Sequence, residues 1–281
     1  MRTEEEMTAL ILKVAKSLNV KAAAISGSRM DPEATKDQFQ DYDIVYIVEN
    51  LNELLADRRW IDQFGERMIM QTPEEMLLFP PTLGQRFTFL MQFMDGTRID
   101  LMLCPLMAAK ELEREPLLTP IYDPDGLFEQ LSIPSSKVFW VQKPNEKLFQ
   151  DSCNEFWWVS TYVVKGIARQ ELIYATDHLY ENCFAELLRM LSWGVGEQYG
   201  YQISTGKNYK YLTKFLKPEI TERLLALLDF SSLEKCAHAL QGCQELFSQT
   251  AQAYAAERGF FYDKDTEKKV RQNTKNNLEV K

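Results

Sequence analysis

Gly27-Ser28, twelve intervening residues, and then Asp41-Tyr42-Asp43-Ile44-Val45 form the stretch on which the reading of this chain turns. Lys21–Ser26, just before it, is a short apolar run that ends at Gly27, as a strand entering a tight turn does. Asp41–Val48 carries the β-branched and aromatic residues of a second strand. Residues two apart on a strand face the same way, so Asp41 and Asp43 are expected to project side by side. Neighbouring carboxylates repel one another, and burying either one unpaired is costly. A divalent cation offsets both problems. Mg²⁺ takes oxygen ligands, commonly one or two carboxylates together with substrate phosphates. The pair is equally what a solvated strand end would carry. Gly27 lets the backbone approach a phosphate. If a helix follows, its free N–H groups and the Ser28 hydroxyl can hold phosphate oxygens. Gly-Ser also marks many ordinary turns. Arg29 adds a cation for the same phosphate, or it points outward to a carboxylate.

Further along, the apolar runs Arg86–Met94 and Thr97–Cys104 flank Asp95-Gly96, the signature of a type I′ hairpin. Asp100 stands among apolar neighbours in the second run. Beside Asp41 and Asp43 it completes a three-carboxylate site able to hold two metal ions. Alternatively it pairs with Arg98, two residues away on the same face.

The surroundings set the fold class. Residues about 3–18 place Met7, Leu10, Ile11, Val14, Ala15 and Leu18 at helical spacing. The first half therefore reads as helix plus strands. Beyond Pro144, Asp151–Trp193 has no proline and a single glycine before its last residue, and apolar residues recur every three or four positions. Further helical stretches are expected at about 209–228 and 232–257. The class is α+β: a mixed sheet with helices over residues 1–145, a helical domain over 146–262, and a polar tail over 263–281 that reads as a loose end or, alternatively, a terminal helix.

Net charge −9 disfavours a nucleic-acid partner and suits a cationic substrate, although many acidic proteins are acidic for solubility alone. Five cysteines, with no CxxC pair, read as reduced thiols in a cytoplasmic protein. No apolar run has the length of a membrane span, so no membrane partner is expected. The two histidines, His178 and His238, lack a nucleophile motif. Oligomeric state is left open.

The GS-x12-DxD pattern with a later strand Asp resembles the polymerase-beta-like nucleotidyltransferases. Phe39-Gln40-Asp41-Tyr42-Asp43-Ile44 is closer still to the aminoglycoside 6-adenylyltransferases, the streptomycin-modifying enzymes. Met76–Pro81, Cys153–Gly166, Asp177-His178-Leu179, Leu187–Met190 and Thr205–Lys210 are similar to the same family. The likeness runs to about residue 216. It implies a nucleotidyltransferase domain followed by a helical domain, with ATP and the aminoglycoside bound in the cleft between them. It further implies transfer of AMP to the 6-hydroxyl of streptomycin and release of pyrophosphate. In that setting Asp41 and Asp43 become Mg²⁺ ligands, and Asp100 a third ligand or the base. Lys165 and Lys207 become candidates to reach the ATP phosphates, although each is also an ordinary exposed lysine. Streptomycin carries two guanidinium groups, which favour carboxylates. Glu155 and Asp177 are candidate partners for them. Asp177 is alternatively the base, and either acid is alternatively a solvated helix residue. Most of Phe156, Trp157, Trp158 and Tyr162 reads as core. Another acceptor, or a nucleotide-binding protein without turnover, would fit the same residues.

Overall fold

In the computed structural model, which describes residues 1–32, 34–129 and 134–278, the chain divides into two units, Met1–Val138 and Phe139–Lys281. The first unit starts with α1 (Glu4–Ser17). Thr3 caps it through a reciprocal pair of hydrogen bonds with Glu6, satisfying N–H groups that the first turn leaves unpaired. Its Met7, Ile11, Val14 and Ala15 form the buried stripe that their spacing dictates.

The strands are β1 (Ala22–Ser26), β2 (Tyr42–Val48), β3 (Arg67–Gln71), β4 (Phe87–Phe93), β5 (Arg98–Pro105) and β6 (Thr119–Tyr122). A short helix, α2 (Leu51–Ala56), follows β2. The six strands form one mixed sheet in the order β3-β4-β5-β2-β1-β6. β2 and β5 run parallel, and every other neighbouring pair is antiparallel. Alternation sorts the residues between the two faces. Ile44, Tyr46, Phe89, Met91, Ile99, Leu101 and Leu103 pack with α1 in one apolar cluster. On the opposite face Val45, Ile47 and Cys104 join a smaller cluster with Ala108 and Leu112. Asp43 and Asp100 lie on that second face by register.

The Asp95-Gly96 hairpin forms, but with a different turn. The Gly96 N–H donates to the Phe93 carbonyl, and the Phe93 N–H to the Thr97 carbonyl. Only Gly96 (φ +84°) is left-handed, whereas a type I′ turn needs two such residues. The Asp95 side chain explains this. It accepts from the Thr97 N–H (3.0 Å), the Thr97 hydroxyl (2.7 Å) and Arg2 Nε (2.7 Å), ordering the turn from outside. Burial raises the Asp95 pKa, but these donors outweigh it and hold the carboxyl below its ordinary range. A folded-state pKa below the unfolded one contributes stability at neutral pH that is lost as pH falls through the folded value. Asp95→Asn is therefore expected to cost about 1–3 kcal/mol at pH 7 in urea unfolding. The gap from wild type should narrow as pH drops below the ordinary aspartate value of 3.8.

The second unit is helical: α3 (Glu146–Ala168), α4 (Leu172–His178), a π-helical turn over Leu179–Phe184, α5 (Ala185–Tyr199), α6 (Pro218–Ala226) and α7 (Leu233–Arg258). Phe156 and Trp157 are core, with Phe156 stacked on Phe247 at 3.8 Å between ring centroids. Trp158 is exposed and donates to the Tyr162 hydroxyl. The helix expected from about 209 is absent until Pro218. Gly206, Asn208 and Tyr209 have φ of +76°, +54° and +60°, and Pro218 imposes extended backbone on Lys217.

Of the two readings of the polar end, the terminal helix is the one that forms. Lys264–Leu278 forms α8, which packs against α3 and α7. Val270 and Leu278 pack against the apolar core of this unit, and the rest of the contact is polar. Glu267 accepts from Ser248, Gln252 and Tyr262, and Thr274 accepts from Gln244. Among the described residues no helix is long and apolar enough to cross a membrane.

Candidate active site

Strand pairing builds the site. β1 runs antiparallel to β2 with Ser26 opposite Asp43, and β2 runs parallel to β5 with Asp43 opposite Asp100. Asp43 thus stands between the glycine turn on one side and the third acid on the other. Gly27 (φ +70°) follows Ser26 directly. A Cβ there would lie 2.0 Å from Asp43 Oδ2, so the Asp43 carboxylate rests where only glycine leaves room. Gly27–Arg29 is a single 3₁₀ turn, so the longer helix whose N-terminus could hold phosphate is not built.

Arg29 turns back into its own unit. Its Nε donates to the Asp41 carbonyl (3.0 Å) and an Nη to the Gln40 carbonyl (2.9 Å). The guanidinium lies 3.6 Å from the Tyr42 ring centre, in cation–π range. These contacts set the path of the backbone into β2. Gln40 donates to the Ser28 carbonyl (3.2 Å), tying the same segment to the glycine turn. Sequence reading gave Gln40 no role, although it stands in the Phe39–Ile44 segment that resembles the family.

Asp41 precedes β2 rather than lying in it. Its carboxylate is 3.5 Å from Arg98 Nε. Arg98 also donates twice to Asp100, Nε to Oδ1 and Nη2 to Oδ2, both at 2.8 Å. The Arg98–Asp100 pairing is thus present, and one guanidinium bridges two of the three acids. Burial raises the Asp41 pKa, Arg98 opposes this, Asp100 adds to the rise, and Arg29 opposes it more weakly. Bonding to Asp100 raises the Arg98 pKa, with Asp41 and Asp43 adding their fields.

Among the described residues no three acid, histidine or cysteine side chains converge closely enough to grip an ion as they stand. The donor set nevertheless fits a hard divalent cation: carboxylate oxygens from neighbouring strands, one of them seated on bare glycine. Arg98 now balances part of that charge. Its side chain is 41 % exposed, so the guanidinium has room to leave.

The other candidates belong to the second unit. Lys165, in the last turn of α3, lies 4.8 and 5.5 Å from the ring centres of Tyr162 and Tyr174. The chain breaks at Gln170 (φ +62°), which puts Asp177 on a different helix from Lys165. Gly166 permits the close α3–α4 crossing, because a Cβ there would sit 3.0 Å from Ala175 Cα. Asp177 lies in a groove of about 600 Å³ with Glu181, Leu172, Ile173, Tyr180 and Phe230. Glu181, one helical turn on, is a second acid that sequence reading passed over. Glu155 is exposed on α3 and does not line this groove. Lys207 is exposed at the start of the left-handed segment.

Comparison with known proteins gives one consistent answer. The sequence model of the streptomycin adenylyltransferase family matches residues 1–276. The aminoglycoside 6-adenylyltransferase of Staphylococcus aureus is 37 % identical over 98 % of this chain and 100 % of its own. That of Bacillus subtilis (strain 168) is 36 % identical over 93 % of each. The crystal structure of an aminoglycoside 6-adenyltransferase from Bacillus subtilis covers 100 % of both chains at 32 % identity, with a TM-score of 0.50. The chain belongs to the streptomycin adenylyltransferase family.

Proposed function

We propose that this protein transfers AMP from ATP to a hydroxyl of an aminoglycoside, the 6-hydroxyl of streptomycin, with Mg²⁺ held by Asp41, Asp43 and Asp100. The observation that carries the reading is the register of β1, β2 and β5. It sets Asp100 beside Asp43, over a glycine whose missing side chain leaves space for the carboxylate. Family membership supports the adenylyltransferase class, and the names of the relatives support the acceptor class.

In the reaction the acceptor oxygen forms a bond to the α-phosphorus of ATP. The bond from that phosphorus to the bridging oxygen breaks, and pyrophosphate leaves. What Mg²⁺ supplies when bound is charge neutralisation on the phosphate and hydroxyl oxygens. The residues of the chain provide the rest. Gly27 and Ser28 bring backbone and a hydroxyl to the phosphates. Arg29 and Gln40 hold the Gln40–Asp41 segment in place. In the alternative to its place as third ligand, Asp100 accepts the acceptor's proton once Arg98 has released it. Lys165 and Lys207 are assigned to the phosphates. Asp177, in its acid and aromatic groove, is assigned with Glu155 to the guanidinium groups of the acceptor.

The test is mass spectrometry of streptomycin incubated with ATP, Mg²⁺ and the protein. A gain of one AMP unit is expected, with pyrophosphate in equal amount. Unmodified streptomycin, with another aminoglycoside modified in parallel, would overturn the acceptor and leave the reaction class standing.

Arg98 gives a separate prediction. Its guanidinium competes with a cation for the Asp100 oxygens. Arg98→Gln is therefore expected to lower the Mg²⁺ concentration for half-maximal rate by about three- to tenfold. A raised requirement would instead show that Arg98 orients Asp100 for the metal.

A further inference from the structure

Tryptophan normally spends most of its area inside a fold. α3 carries one that does not. Phe156 and Trp157 are buried, at 0 % and 3 % exposure, whereas Trp158 beside them is 58 % exposed. It is nevertheless held. Its Nε1–H donates to the Tyr162 hydroxyl at 2.9 Å, and the two rings meet edge to face at 6.1 Å between centres. Tyr162 in turn contacts the His178 ring (5.4 Å), and His178 the ring of Tyr174 (4.4 Å). An indole ordered in this way, and more than half open to solvent, loses little further freedom when a ligand lands on it. Its neighbours name the chemistry of that ligand. Glu155, Trp158, Tyr162 and Lys165 recur at three- and four-residue spacing, which sets them in one stripe along α3. Glu155 and Lys165 stand at its two ends, about 15 Å apart along the helix axis.

We propose that Trp158 is a specificity-determining residue for the acceptor, its indole and the Glu155 carboxylate together binding one guanidinium group. A guanidinium is a planar cation that stacks on an aromatic face while its N–H groups fork to a carboxylate. An ammonium group gains the charge attraction without the stacking or the fork, so the pair favours guanidinium-bearing acceptors. An adenine base would also stack on an indole, but it brings no positive charge to answer Glu155. The cation of the stripe lies at the far end, where the Lys165 ammonium sits over the Tyr162 ring. α3 thus meets the acceptor at its Glu155 end and the ATP phosphates at its Lys165 end. The inference rests on the acceptor reading above and adds to it the residue that selects guanidinium over ammonium.

The test is isothermal titration calorimetry of the full chain with streptidine, the diguanidino ring of streptomycin, which needs no turnover. Trp158→Leu and Glu155→Gln are each expected to weaken binding about tenfold, and Trp158→Phe, which keeps a ring, about threefold. Because both groups hold one guanidinium, the double variant should lose much less than the product of the two single losses. Leu225→Ala, at an exposed position on α6, should bind as the wild type does. In steady-state kinetics Trp158→Leu should raise the KM for streptomycin by the same factor, with kcat and the KM for ATP within about twofold of wild type. The proposal is overturned if streptidine fails to bind, binds all variants equally, or shows single losses that multiply in full. A rise confined to the KM for ATP would also overturn it, because it would put the adenine on the indole. Streptidine bound in this Trp158-dependent way by a protein that leaves streptomycin unmodified would sink the acceptor reading and keep the guanidinium site.

Discussion

Asp43→Asn should lower AMP transfer by about a thousandfold or more while leaving the protein folded. The amide keeps the shape of the carboxylate and removes its charge. Asp43 faces Asp100 across the parallel pair and is the acid seated on Gly27. It has no close substitute in the site. Removing one of three neighbouring negative charges relieves repulsion, so the melting temperature should hold or rise slightly. Asp41→Asn should be milder, about ten- to a hundredfold, because Asp41 lies outside the strand and burial already raises its pKa. The measurement is initial pyrophosphate release at saturating ATP and acceptor, with Mn²⁺ binding followed separately by electron paramagnetic resonance. Activity within tenfold of wild type in Asp43→Asn would remove the metal assignment.

Gly27→Ala carries the second large effect, and two separate forces produce it. Left-handed backbone at φ +70° costs a residue with a side chain about 1–2 kcal/mol. The larger force is steric. The new methyl would sit 2.0 Å from Asp43 Oδ2, well inside contact distance. Either the turn opens or the carboxylate rotates away, and a displacement of about 1 Å in a reacting group costs on the order of a hundredfold in rate. The expected result is a hundredfold loss with a melting temperature only a few degrees lower. A double variant separates this from general damage. If Gly27→Ala acts through Asp43, adding it to Asp43→Asn should cost little further activity, since both changes disable one group. Full multiplication of the two losses would show that Gly27 acts by another route, such as direct approach to phosphate.

Much of this was legible in the chain. The helical stripe of α1, the β-branched and aromatic run of β2, the apolar runs of β4 and β5, and the change to helical spacing after Pro144 are local patterns that neighbouring residues impose on one another. They located the strands and placed Asp43 and Asp100 on them, while Asp41, expected in the same strand, falls just before it. The failures were local as well. The Asp95 side chain chose the turn at Gly96, and Pro218 and three left-handed residues blocked the helix expected from 209.

What only the tertiary structure decided is which acids meet. Asp43 and Asp100 are far apart in sequence, and β3 and β4 lie between their strands along the chain. β2 and β5 nevertheless become parallel neighbours with the two acids directly opposed. No periodicity encodes that register, because it comes from packing one whole face of the sheet against α1. The same pairing brought Arg98, already the neighbour of Asp100 on β5, to Asp41 as well. The sequence alone determined the identity of the chemical groups and the strands that carry them. The fold determined their distances, since strand pairing between remote segments is fixed only when the shared core closes.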